Sequence, residues 1–214
     1  MPSLFSIFIF KVYFFSLAGS GLWSAPPQEK YPFSKWDQSV LEKCNTAKDV
    51  TYMTDQEKEV IFLCNLARWD GKLFSETYLK QYIDSTETEK NSYVTSLFSD
   101  LKKVKKIKSL QPAEDLYKAA DEHAIESGKK GSIGHQKVDA RFKKHAPSYN
   151  DSAENCDYGN DQAIDIVMSL LIDEDVPNKG HRKNILDKDM THVGVSIREH
   201  KKYDYNCVMD FGKK

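Results

Sequence analysis

Beyond its first 25 residues this 214-residue chain has no apolar run long enough to cross a bilayer. It has no Gly-x-Ser-x-Gly elbow, no His-Glu-x-x-His helix and no phosphate-cradling glycine loop, which removes the common serine-hydrolase, zinc-peptidase and nucleotide-binding readings. No two of its four cysteines stand close in sequence, so a cysteine-only zinc site has no ligand pair to start from. Net charge is nearly absent: 31 basic residues meet 32 acidic ones, leaving −1, and no global field draws the chain to nucleic acid. Ser169 falls in a helical pattern without a nearby base, so any catalysis would need activated water as the nucleophile.

What is present is a core. Hydrophobic residues make up 40% and aromatics 12% of the chain, enough for one packed domain with extensions. Residues 1–25 differ from the rest: Leu4–Phe10 and Val12–Ala18 are apolar, and small residues lead to Pro26-Pro27. That pattern predicts a secretory signal cut near Ser20 or Ala25, or else an anchor that stays in the membrane. No cysteine lies near the cut to carry a lipid. In an exported chain the four remaining cysteines, Cys44, Cys64, Cys156 and Cys207, predict two disulfides. Three pairings exist, with Cys44–Cys64 and Cys156–Cys207 favoured.

Residues 26–53 read as an N-terminal arm, and residues 54–214 as the folded domain. Thr54-Asp55-Gln56-Glu57 is a capping box. After it Val60, Leu63, Cys64 and Ala67 recur at helical spacing, and Asp70-Gly71 ends the helix. A short helix is expected over 75–83. Tyr93, Leu97, Leu101 and Val104 predict another that carries the lysines of 102–108 on a solvated face. Pro112 precedes a helix with Leu116, Ala119, Ala120, His123, Ala124 and Ser127 on one side, closed by Gly128. Residues 141–152 read as a surface connection, 154–158 as a short strand, and Ala163, Ile166, Val167, Leu170 and Leu171 as a helix ending near Asp173–Asp175, before Pro177. Strands over 193–197 and 203–211 are turned by His200-Lys201-Lys202. Helices first and a hairpin last argue for α+β, a small antiparallel sheet covered by helices.

The chemistry gathers in three fragments: Ile133-Gly134-His135, Ala153-Glu154-Asn155-Cys156, and Lys179-Gly180-His181-Arg182-Lys183-Asn184-Ile185-Leu186. Two imidazoles and a carboxylate suit a divalent transition metal such as zinc, with bonds of about 2.0–2.2 Å. The plainer alternative is that His135 and His181 hydrogen-bond loops, that Glu154 meets backbone amides, and that Arg182 makes a structural salt bridge. His123 reads as a satisfied helix-face histidine, and His145, His192 and His200 as solvated.

Taken in order with Asn65-Leu66-Ala67-Arg68, Leu110-Gln111-Pro112 and Val193-Gly194-Val195, these fragments resemble the CAP superfamily of cysteine-rich secretory, antigen-five and pathogenesis-related proteins, and its bacterial secreted members most. The resemblance covers roughly residues 54–211. It implies a three-layer α–β–α sandwich around a cavity with two histidines and two acids, in which many members hold zinc or another divalent cation. His135, Glu154 and His181 match three of those positions. The second acid usually follows a tryptophan by one helical turn. Leu170 stands at the tryptophan position, which assigns Asp173. Ala153 stands where the family usually has glycine.

The expectation is therefore a secreted or periplasmic binding module whose His135, His181, Glu154 and Asp173 hold a divalent metal or small ligand, with no enzymatic role assigned. The alternative is a metal-dependent hydrolase, peptidase-like, with Glu154 as base. Expected partners are a small ligand, a lipid, or an envelope or extracellular component met through the lysines of 102–108.

Overall fold

The structure, a computed structural model, describes residues 32–214. The signal segment, and with it the question of an anchor, lies outside the described residues. Among the described residues no helix is long and apolar enough to cross a membrane.

The arm contributes a 3-10 turn (Phe33–Lys35) and helix α1 (Gln38–Cys44). Helix α2 (Asp55–Trp69) starts at the expected capping box, with both reciprocal bonds made. Val60, Leu63, Cys64 and Ala67 on its stripe are fully buried. Burial of each such aliphatic side chain is worth about 1.5–3 kcal/mol. Helix α3 (Gly71–Phe74), a π-helical stretch (Ser75–Leu79) and α4 (Lys80–Thr86) follow, then α5 (Ser92–Leu101). A two-residue strand β1 (Gln111–Pro112) leads into α6 (Glu114–Lys130) and α7 (Val138–His145). The chain ends with β2 (Asp151–Tyr158), α8 (Ala163–Ile172), α9 (Gly180–Leu186), β3 (His192–His200) and β4 (Asp204–Lys213).

The sheet order is β1-β3-β4-β2, antiparallel except for the short β1–β3 pairing. One face packs against α6; the other joins α2 and α8 in the main core. The α+β sandwich expected from the sequence is thus the one observed. Gly194 sits in β3 under α6, where an added Cβ would lie 2.0 Å from Tyr117 N and 2.3 Å from the Leu116 carbonyl carbon. Only a residue without a side chain lets the helix lie this close to the strand.

Strand alternation assigns the side chains. Glu154 pairs with Asp210 and Cys156 with Val208, and this set faces α6 beside Ala120 and Ala124. Asn155 pairs with Met209 and Asp157 with Cys207, and these face the α8–α9 side. The expected Cys156–Cys207 disulfide therefore cannot form: the two residues are one register step apart and project to opposite faces. Cys44 and Cys64 are also free, so the second expected bridge is absent, and all four thiols are buried. Cys44 sits at the end of α1, while Cys64 lies mid-helix in α2. Burial raises Cys44 to about 11 and Cys64 to about 12, as expected of inert core thiols.

Other expectations are corrected by packing. Helix α6 does not stop at Gly128. That glycine lets the helix pass the Glu199 carbonyl, which a Cβ would meet at 2.1 Å, and the left-handed cap falls at Gly131, φ 66°. The lysines of 102–108 do not continue α5. The segment turns back across the end of α2, where Lys106 N and Ile107 N satisfy the Trp69 and Arg68 carbonyls at 2.9 and 3.0 Å. Those carbonyls have no partner within their own helix, and closing them outweighs the helical periodicity. The supposed connection 141–152 instead holds the end of α7 and the start of β2. His200 is buried with Nε2 3.0 Å from Ser132 O, and His145 Nε2 lies 2.6 Å from Glu122 Oε2.

Candidate functional site

Helix α6 ends at Gly131, and the loop that follows delivers His135. That loop is pinned at Gly134, whose N–H donates to Tyr158 Oη (2.8 Å) and whose carbonyl lies 2.8 Å from His123 Nε2. His123 is thus the satisfied helix-face histidine that its position in the apolar stripe predicts. Burial holds it neutral, lowering its pKa.

His135 Nδ1 donates to Glu154 Oε1 at 2.8 Å. Since a carboxylate only accepts, the tautomer is fixed and Nε2 is left open. The other Glu154 oxygen takes the Arg141 guanidinium from α7. Burial pushes the Glu154 carboxyl upward, but the His135 bond and the Arg141 charge outweigh it and hold its pKa below the ordinary value. Asp210 lies across the strand pair from Glu154 and is fully buried, and no donor reaches either of its oxygens. Burial first, then the Glu154 charge, raises Asp210 well above the usual carboxylate range. Of the two carboxyls, Asp210 therefore holds a proton more readily than Glu154.

The second half lies on the opposite side of β2. Helix α8 ends at Asp173 in the left-handed region, φ 58°. Asp173 Oδ1 accepts from His181 Nδ1 at 2.7 Å and Oδ2 from Arg182 N at 3.1 Å. The aspartate is both helix terminus and histidine partner, and His181 Nε2 is left open as well. Asn155 holds α9 from below: its Nδ2 donates to His181 O (3.0 Å), and its Oδ1 accepts from Asn184 (2.8 Å). Arg182 is a structural clamp. It is buried and donates to the Leu171, Ile172 and Tyr93 carbonyls, Ser96 Oγ and Asp100 Oδ2. Glu174, a competing acid, is turned away to Asn91.

All four sequence-assigned residues meet here as two histidine–carboxylate pairs, with the imidazole centroids 6.5 Å apart and the ring planes at 42°. Sequence reasoning missed Arg141, Asp210 and Asp157. Asp210 carried a legible signal, a lone acid in the apolar run Cys207-Val208-Met209-Asp210-Phe211. Asp157 carried less: it lies fully buried on the α8–α9 face, accepts from Asn160 at 2.9 Å, and is pushed up to about 7 by burial. Arg141 sat in a stretch that reads as a loop.

A sandwich of this layout, with two oriented imidazoles beside an edge strand, defines a class of small α+β domains. The particular family follows from the sequence: the family model described as the Cysteine-rich secretory protein family matches residues 63–211, and the chain belongs to that CAP family. Among solved structures the chain is similar to an outer surface protein of Borrelia burgdorferi, with 24% identity, a TM-score of 0.42, and coverage of 49% of this chain and 77% of that one. It is similar also to an extracellular SCP-domain protein of Bacillus anthracis, with 20% identity, a TM-score of 0.41, and coverage of 49% and 34%. A cysteine-rich secretory protein of Staphylococcus aureus gives 15% identity, a TM-score of 0.45, and coverage of 76% and 40%. The chain thus spans well under half of the latter two proteins. No curated protein matches it.

Proposed function

We propose that this CAP domain is an extracellular binding module whose His135 and His181 hold a divalent cation, zinc by donor chemistry, through their Nε2 atoms. The observation that carries the reading is the shared design of the two pairs. Each imidazole spends Nδ1 on a buried carboxylate and keeps Nε2 open on a partly exposed ring. A carboxylate behind a histidine fixes its tautomer and raises its basicity as a ligand.

The donors fit the ion with a small closure. Two imidazoles on one tetrahedral zinc have centroids about 5 Å apart, given bonds of about 2.0–2.1 Å. The observed 6.5 Å leaves a gap that a modest turn of the loop-borne His135 closes. Glu154 and Asp173 then orient the ligands from behind rather than bind the ion directly. A cation here supplies Lewis acidity and an attachment point for a carbonyl, carboxylate or phosphate ligand.

Binding is favoured over hydrolysis because Glu154, the candidate base beside His135, has both oxygens occupied and its side chain is 2% exposed. The test is metal content by mass spectrometry on protein from an oxidising compartment, beside the double variant His135→Ala/His181→Ala. About one zinc per chain, lost in the double variant with the fold intact, supports the reading. A wild type that stays metal-free after zinc addition overturns it.

A further inference from the structure

On the α6 face of β2, behind the paired imidazoles, stands a second set of donors that has only Glu154 in common with the cleft. His123 Nε2, Glu154 Oε1 and Cys156 Sγ all lie within 4.8 Å of one another, and all three residues are buried. His123 Nε2 is 3.9 Å from Glu154 Oε1. The Gly134 carbonyl oxygen belongs to the same cluster, 2.8 Å from His123 Nε2 and 4.0 Å from Cys156 Sγ. Imidazole, carboxylate, thiol and carbonyl thus converge from α6, β2 and the loop before His135.

An independent observation stands beside this cluster. Asp210 is fully buried beside Glu154, and neither of its oxygens meets a hydrogen-bond donor among the described residues. Such a carboxyl is costly to bury, and a cation nearby would repay the cost. The Arg141 charge acts on Asp210 from a distance, but its terminal nitrogens donate to Glu154 Oε2 and to the Gln136 carbonyl, and its Nε has no partner among the described residues.

We propose that His123, Glu154 and Cys156 form an inner site for a thiophilic divalent cation such as zinc, with the Gly134 carbonyl as fourth donor. Bonds of about 2.0–2.3 Å place the ligand atoms of tetrahedral zinc roughly 3.3–3.8 Å apart, so the cluster contracts by up to about 1.5 Å to accept the ion. Binding replaces the His123–Gly134 hydrogen bond with two bonds to the cation, the His123 proton shifting from Nε2 to Nδ1 as the imidazole changes tautomer. The Cys156 S–H bond breaks as the sulfur–metal bond forms, and the proton leaves to solvent. Because Cys156 and Cys207 face opposite sides of the sheet, no disulfide competes for the sulfur. The inner site shares Glu154 with the paired-imidazole cleft but does not depend on that reading.

Cobalt(II) distinguishes the two, since only the inner site contributes a thiolate. Titration of the folded chain with cobalt(II) is expected to produce a near-ultraviolet sulfur-to-metal charge-transfer band. The band is lost in Cys156→Ser, strongly weakened in His123→Gln and retained in His181→Ala. Competition by zinc bleaches it, and either inner-site variant weakens zinc binding by at least about tenfold. Circular dichroism and thermal melting establish that each variant is folded, and His123→Gln keeps the test open if Cys156→Ser does not fold. Three results overturn the inner site: no charge-transfer band in the wild type, a band that survives Cys156→Ser, or bound metal that vanishes with His181→Ala alone. The last of these leaves the cleft as the metal site.

Discussion

The two sides of β2 solve the problem of buried acid in opposite ways. Toward α6, Glu154 is kept ionised by His135 and Arg141 even though it is buried. Toward α8 and α9, Asp157 meets neutral donors, and burial lifts it to about 7. The residues stand three apart on one strand, yet their charge states diverge. The difference teaches that burial alone does not set protonation; what decides is whether a cation is buried alongside.

The largest way to break that contrast is to remove the cation. Arg141→Ala leaves Glu154 without its buried partner, and the expected loss is about 3–5 kcal/mol of stability, read by urea unfolding at pH 7. A loss under 1 kcal/mol would mean that Glu154 does not need the guanidinium.

Asp157→Asn should act in the other direction. A carboxyl whose folded pKa is raised loses stability as pH climbs from the ordinary value near 3.9 to about 7. The amide removes that loss, so the variant is expected to be more stable at pH 8, by roughly 1–4 kcal/mol. The two proteins should converge below about pH 4. Melting temperatures across that range give the answer, and an advantage that does not fade in acid would contradict the assignment.

Glu154→Gln inverts the pattern with a smaller effect. The folded pKa of Glu154 lies below the unfolded one, so its contribution is complete above the ordinary value near 4.3 and disappears as pH falls through the folded value. The variant is expected to be about 1–2 kcal/mol less stable than wild type at pH 7, with the gap closing in acid. Thr54→Ala, in the capping box of α2, removes about 1 kcal/mol. Because it touches neither side of β2, the cost should not vary between pH 5 and 8.

Much of the fold was legible. The capping box, the α2 and α6 stripes and the terminal hairpin stand where local patterning predicts, because each forms from residues near in sequence. The misses have tertiary causes. Gly128 resembles a helix terminator but serves a close crossing with Glu199. The lysines of 102–108 keep a helical period, yet the open carbonyls of α2 recruit their backbone. The Cys156–Cys207 disulfide failed because cysteine counting carries no information about which face of a sheet a residue takes. Motifs singled out His135, Glu154, His181 and Asp173, which the fold brings together as two hydrogen-bonded pairs. Arg141, Asp157 and Asp210 needed the register of β2 on β4.

That register has a mechanical consequence. Glu154 and Asn155 are neighbours, yet one grips His135 and the other grips the backbone of His181. The gap between the two rings is therefore referenced to a single peptide bond rather than to the distance between helices. Swaying of α6 against α9 would be absorbed elsewhere, much as two jaws mounted on one bar keep their spacing when the handles move. The price is intolerance of length: one residue inserted after Glu154 would turn Asn155 to the wrong face and release one jaw completely.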